Sequence, residues 1–404
     1  MLELSAGLEF HPERDEEFSS LLPERPAVCL ITSRDPAAEP FLIRTADLRR
    51  RLQRLLGEPD PTSKRLNLRE FAHQVRYRET ASAFEQALIY YQHAKRYFPK
   101  RYPQLVRLRP APVLKINLRN AYPRCFVTRR IVVNEQGVPV AGSYYGPFRS
   151  RKSAEAFAES VLDFYKVRRC QIKIRRDPSY PGCIYSEMKM CLAPCFAGCS
   201  KEEYDLEVGR LVQFMDTGGG SLHETLEKER QATSEKLDFE KAAAIHKKIE
   251  KLDDALRGQP DLVRRIENLD AVVMQRAIEE HTVALFAIRA GRFAEPFLLH
   301  FGDTGKPTSA EETVRDYLQG VSNSSPAMAP NPWQSAGELS EHLTLLARWF
   351  FSNPREGELF FREKDWPYRR ILRACSRMLA PKEVQPPTKE SGPASTTAPS
   401  EDAK

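Results

Sequence analysis

Cys170, Cys183, Cys191 and Cys195 follow one another at the spacing C-x12-C-x7-C-x3-C, and Cys199 stands four residues beyond. Five of the eight cysteines thus fall within thirty residues. A thiol cluster this dense folds in one of two ways, cross-linked by disulfides or arranged around a metal, and the compartment decides between them. Residues 1–20 mix Glu, His, Arg and Asp among their apolar residues, without the continuous apolar core of a secretory signal. No apolar run approaches the length of a membrane span. The expected compartment is the reducing cytoplasm, where clustered thiolates bind zinc or iron–sulfur centres. Spacing alone does not choose between these, and buried structural thiols are the alternative to both. Arg168, Arg169, Lys173, Arg175 and Lys189 lie in and around the cluster, where positive charge favours the thiolate form.

A chain of 404 residues is too long for one ordinary core, so several modules are expected. The net charge of +7 is a mild push toward polyanions, but its distribution is uneven. Basic residues crowd at 44–54, 95–109, 124–130 and 149–176, all in the first half. That asymmetry predicts a phosphate-facing surface there, with a merely solvated basic face as the alternative.

Residues 26–32 and 39–44 are short β-rich runs around a polar, Pro-containing turn, which predicts a hairpin. Thr45 is the predicted N-cap of a helix with Leu48, Leu52, Leu55 and Leu56 on one stripe, ending at Gly57. Between residues 82 and 98, Phe84, Leu88, Tyr91 and Lys95 follow helical spacing, and Pro99 supplies the stop. Strands are expected at 113–118 and 125–133 and a helix at 153–165. From 200 to 257 the pattern is helical, interrupted by Gly218, Gly219 and Gly220, with Asp238 capping a second hairpin helix. A meander at 269–274, 282–288 and 295–301 precedes helices at 338–351 and 368–379. The expected fold class is α+β: a small mixed N-terminal domain over 20–110, a strand–helix extension over 111–165, the cysteine segment over 166–200, a helical region with a hairpin over 201–260, and a small α+β domain over 265–380. Residues 381–404, rich in Pro, Ser, Thr and charge, are expected to form a disordered tail.

Several of these segments carry a resemblance. The runs RRC at 168–170, CIY at 183–185 and MCLAPC at 190–195 are similar to the cysteine region of the UvrC excinuclease family. The YYGPF turn at 144–148 is similar to the turn that precedes that region in the family. The resemblance implies that Cys170, Cys183, Cys191 and Cys195 bind a [4Fe-4S] cluster, with zinc as the alternative, and leaves Cys199 as an extra thiol. Residues 234–244, SEKLDFEKAAA, resemble the UVR motif, the helical hairpin that docks on UvrB, the family's partner in repair. Phe239, Ala242, Ala243, His246, Ile249 and Leu252 form a narrow stripe that suits close helix approach. Phe239, Ala242, Ala243 and His246 are the expected partner contacts, although such a stripe could equally seal the hairpin to its own protein.

The N-terminal segment resembles the GIY-YIG nuclease module, and RTADLRRRL at 44–52 matches the helix that follows its second motif strand. In that family two tyrosines act on a water, an arginine stabilises the phosphate and a glutamate holds a divalent metal. Here Cys29 and Phe41 fall on the tyrosine positions, Arg51 matches the arginine, and Tyr90 or Tyr91 falls on the glutamate. Phe41 has no hydroxyl to relay a proton. Glu85 is the nearby substitute for the lost ligand. Removing both the proton relay and the metal ligand is expected to cost several orders of magnitude in rate, because each alone contributes about a hundredfold or more. Arg44, Arg49, Arg50, Arg54 and Lys115 are the expected DNA contacts. Tyr90, Tyr91, Arg96, Tyr97 and Arg101 interleave aromatic and basic groups as a second, weaker platform.

The expectation is a DNA-binding protein of nucleotide excision repair, related to the UvrC excinucleases, with impaired incision and with UvrB as a partner. Two alternatives stand beside it. One is an active endonuclease making a single cut with Mg2+ or Mn2+ around Arg51 and Glu85. The other is a metal-cluster scaffold that does not act on DNA. The family's second, ribonuclease-H-like nuclease domain is not recognised in the sequence.

Overall fold

The computed structural model describes residues 2–59, 62, 64–301, 307–323 and 336–380, and the tail expected at 381–404 lies outside them. Its N-terminal module is an antiparallel sheet of β1(Ala6–Glu9), β2(Ala27–Thr32), β3(Phe41–Thr45) and β4(Gln74–Glu79) in the order β1-β4-β2-β3, with helices α1(Asp15–Ser20) and α2(Leu48–Leu56). The strands alternate as a two-sided sheet requires. Cys29, Ile31, Ile43, Val75 and Tyr77 face α1 and α2, while Val28, Leu30 and Leu42 face the next helix, α3(Ala83–Tyr97). All four leucines of the predicted stripe on α2 are buried, each contributing roughly 1.5–3 kcal/mol. Asp47, not Thr45, is the N-cap of α2, its carboxylate accepting from the Arg50 N–H at 2.9 Å. The module also begins earlier than residue 20, because β1 supplies an edge strand.

After α4(Tyr102–Val106), a second antiparallel sheet is formed by β5(Val113–Ile116), β6(Cys125–Thr128), β7(Ser143–Gly146) and the short β8(Arg264–Arg265), in the order β6-β5-β7-β8. Helices α5(Arg151–Leu162), α6(Ile184–Glu187), α7(Lys201–Asp216), α8(Gly220–Glu235) and α9(Phe239–Arg257) follow β7. Leu114, Tyr145, Val161, Leu211, Phe214, Leu226, Ile249 and Leu252 belong to one core. The expected extension, cysteine segment and helical region are therefore not separate modules, and β8 carries the same unit past residue 260. Gly146 sits at φ 154, where a Cβ would press on the Val113 side chain at 2.9 Å, so the YYGPF turn requires glycine there.

The C-terminal domain is a sheet of β9(Ala271–Arg276), β10(Thr282–Arg289), β11(Arg292–Phe293), β12(Phe297–His300) and β13(Glu358–Phe361), with α10(Pro307–Asn323), α11(Ala336–Phe350) and α12(Tyr368–Leu379). Its strands are apolar on both faces because both are covered. Val272, Met274 and Leu285 pack toward α10 and α12, and Val273, Phe286 and Ile288 toward α3 and α11. The two terminal regions thus share one core, in which the Phe84 ring meets Phe286 at 5.1 Å, Phe293 at 5.4 Å and Trp349 at 5.6 Å. No helix among the described residues is long and apolar enough to cross a membrane.

Candidate nucleic-acid interface and cysteine segment

The residues expected to carry nuclease chemistry do not converge. Cys29 lies in the middle of β2 with no solvent exposure, and burial raises its thiol pKa far above the ordinary range. Phe41 begins β3 and is half-buried against the same core. Arg51, on α2, is half-exposed and forms no side-chain hydrogen bond or ion pair among the described residues. Burial lowers its proton affinity, and Arg54 adds to the effect. Glu85 stands on α3, across the sheet from α2. Its Oε2 accepts from the Ala81 N–H at 3.0 Å while its own N–H donates to Ser82 Oγ at 3.0 Å. Its carboxylate is engaged in capping α3, and burial raises its pKa. The helices bearing Arg51 and Glu85 pack on opposite faces of one sheet, and no hydrogen bond or ion pair joins the two side chains.

Tyr90 and Tyr91 have different surroundings. Tyr91 has no exposure and its hydroxyl donates to Glu341 Oε2 of α11 at 2.6 Å. Glu341 also accepts from the Tyr102 hydroxyl at 2.5 Å, and Lys95 pairs with Glu338 and, at 3.6 Å, with Glu341. Tyr90 is 9% exposed and lies beneath the Arg44 guanidinium, 5.5 Å from the ring centroid. Tyr91 therefore belongs to an internal joint, which corrects its placement in an exposed aromatic platform.

Of the expected DNA contacts, Arg44, Arg50 and Arg54 are exposed. Arg49 is committed elsewhere: it donates to the Leu22 carbonyl at 2.7 Å, to Glu24 Oε1 at 2.5 Å and to the Ser20 carbonyl at 3.3 Å, holding the α1 turn to α2. Lys115 is half-buried, its ammonium 4.9 Å above the Tyr144 ring. Two features escaped the reading of the sequence. Tyr77 is paired directly with Cys29 across β4 and β2 and packs its ring in the core on the α2 side of the sheet. Its signal was the alternation Val75, Arg76, Tyr77, Arg78. The other is Arg348 on α11, which donates to the carbonyl of Val106, at 3.1 Å, and to that of Arg107. A partner more than two hundred residues away leaves no local signal.

Cys29, Cys125 and Cys375 are core thiols, and burial pushes the last two up to about 12. The cluster is different. Cys191 is pushed up to about 11, first by burial and then by Cys170, Cys195 and Cys183. Cys195 is raised by burial, with Cys183 and Cys170 adding to it. Cys199 feels only Cys195 among the thiols, after burial and Glu203. Cys170, Cys183 and Cys195 thus act on Cys191, while Cys199 is acted on by Cys195 alone among the thiols. Donors point at three of the sulfurs: the Ala193 N–H to Cys191 at 3.3 Å, Arg168 to Cys170 at 3.8 Å and Ser186 to Cys183 at 4.0 Å. Among the described residues, however, no three His, Cys, Asp or Glu side chains close into a group that could hold a metal ion. The donor set suits a metal–thiolate centre, since donors of this kind stabilise ligating sulfur. Between α5 and α7 the segment has only α6 and one short 3-10 turn as regular structure, with left-handed backbone at Lys189, Ala193 and Ala197.

Helices α8 and α9 form an antiparallel hairpin, but the predicted stripe divides. Ile249 and Leu252, with Ile245, are buried in the core, and Leu226 of α8 joins them. Phe239, Ala243 and His246 are exposed and Ala242 is half-exposed. At the tip, Leu237 takes a left-handed conformation at φ 59, and the Asp238 N–H closes back on the Thr233 carbonyl at 3.2 Å. That turn leaves Leu237 71% and Phe239 65% exposed.

Comparison with known proteins follows this division. Residues 111–214, from β5 through the cysteine segment into α7, match the family model described as UvrC/Cho excinuclease, middle domain. Residues 220–255, the hairpin, match the UvrB/uvrC motif. UvrABC system protein C of Clostridium tetani is 25% identical over 312 residues, covering 74% of this chain and 48% of that protein. The same-named protein of Caldanaerobacter subterraneus is 24% identical over 316 residues, 78% of this chain and 50% of that one. The counterpart in Carboxydothermus hydrogenoformans is 29% identical over 272 residues, 67% and 43%. The chain spans half or less of the length of these curated relatives. No solved structure matches it.

Proposed function

We propose a function from the premise that this chain is related to the UvrC excinucleases, whose middle domain and UVR motif it carries: it binds DNA in nucleotide excision repair without cutting it. The observation that carries this reading is the use made of α3. A GIY-YIG-type centre needs a carboxylate on this helix to hold a divalent metal beside the arginine. Here Tyr91 is locked onto Glu341, Tyr90 lies under Arg44, and Glu85 caps the helix from the face opposite Arg51. Among the described residues no carboxylate pairs with Arg51, so Mg2+ or Mn2+ lacks there the ligand that Glu85 was expected to supply. Exposed Arg44, Arg50 and Arg54 still give the module a cationic surface suited to phosphates. The endonuclease reading requires Arg51 and Glu85 to act together, and their places on the fold weigh against it.

In this reading Cys170, Cys183, Cys191 and Cys195 hold a [4Fe-4S] cluster or zinc. The group would supply a structural link, tying a segment poor in regular structure to the core shared by α5 and α7. The hairpin tip, with Leu237 and Phe239 exposed, is the docking element for UvrB. Binding to a lesion-bearing duplex across a salt series tests the central step. Affinity should fall steeply with salt, since each phosphate contact contributes a logarithmic slope of about 0.9. A protein with no salt-dependent affinity for DNA would instead be a metal-cluster scaffold.

A further inference from the structure

Where the N-terminal module meets the C-terminal domain, three arginines from distant parts of the chain gather. Arg44 is exposed on β3, its guanidinium stacked over Tyr90 of α3. Arg348, at the end of α11, donates to the carbonyls of Val106 and Arg107 and so ties the linker after α4 to the C-terminal domain. Arg107 has left-handed backbone at φ 53, which turns the linker, and exposed Arg109 follows two residues later. The Arg348 charge is disfavoured first by burial, then by Arg44 and Arg109, so both of these positive groups act on Arg348. None of the three forms an ion pair with a carboxylate among the described residues. Their neighbours differ: Lys95 pairs with Glu338 and Glu341, and Arg101 with Glu39.

We infer that Arg44, Arg109 and Arg348 form a composite, metal-independent clamp for backbone phosphates of a nucleic acid, present only when the two terminal regions are docked. Like charges held together without acids repel, and a bound polyanion reverses the sign. Guanidinium groups offer forked donors that match phosphate oxygens. With no carboxylate paired to the group among the described residues, the phosphate meets the arginines directly. The aromatic surface beneath Arg44 fixes its orientation without consuming its hydrogen-bond donors.

The clamp rests on the DNA-binding reading, and one experiment separates the two. Affinity of the full chain for a lesion-bearing duplex is measured across a salt series, with EDTA and with Mg2+. The comparison is among the unaltered protein, an R44A/R109A double variant, the same with R348A added, and R210A as a distant control. Among the described residues the Arg44 and Arg109 side chains donate no hydrogen bonds, so the double variant tests the site even if loss of Arg348 disturbs folding. The double variant should weaken binding about tenfold or more and reduce the salt slope by about two, with EDTA making no difference. R210A should bind as the unaltered protein does. An unchanged slope in the double variant, or binding that needs Mg2+, overturns the clamp while leaving DNA binding intact. Absence of salt-dependent binding by the unaltered protein overturns both.

Discussion

Tyr91 donates its hydroxyl to Glu341 from a site with no solvent, and Tyr102 and Lys95 meet the same carboxylate. His342, one residue along α11, is fully buried and accepts the Phe293 N–H at Nδ1 at 3.1 Å. Burial, then Lys95 and Arg292, hold its pKa at about 3, against an ordinary 6.5. The unfolded chain therefore takes up a proton at this ring near pH 6.5 and the folded chain only near pH 3. Its stabilising contribution is complete above the first value and is lost as pH falls from the first toward the second. H342N keeps an acceptor for the Phe293 N–H and removes the titration. Denaturant unfolding at several pH values should show a shallower acid loss in H342N than in the parent. Equal slopes would show that His342 plays no part in the acid loss.

At the scale of elements, the hairpin separates two kinds of residue that spacing alone had merged. Ile249 is buried in the middle core, so I249A should cost about 2–5 kcal/mol of stability in thermal or denaturant unfolding. Phe239 is exposed at the tip, so F239A should leave stability within about 0.5 kcal/mol while weakening capture by UvrB by about 1–3 kcal/mol in calorimetry. The reverse pattern would make the tip structural. For the cysteine segment, C191S should lower bound iron or zinc in elemental analysis and open residues 166–200 to proteolysis, with C199S much milder. Equal metal content in C191S and the parent would remove the ligand assignment.

Legibility followed period and cap chemistry. The α2 stripe, the Asp238 cap and the Gly218–Gly220 break were visible because each is local, and the structure has them; the Ser82 cap of α3 was not read from the sequence. Strand β4 was missed although Val75 and Tyr77 alternate with arginines, because the surrounding charge hides a half-buried strand. The division of the hairpin stripe was not legible, since which of two adjacent helical faces is buried depends on α5 and α7, not on the hairpin itself. The arginine group at Arg348 needs the whole fold to exist.

For the molecule as a whole, α3 and α11 are packed between two sheets, with Phe84 touching Phe286, Phe293 and Trp349. That arrangement makes α3 the joint between the terminal regions and leaves arginines at its rim. Strand cleavage tests this most directly: purified protein is mixed with nicked, bubbled and lesion-bearing duplexes in Mg2+ or Mn2+. The expected result is salt-dependent retention of the DNA with no new strand ends. Cleavage that disappears in R51A would contradict it.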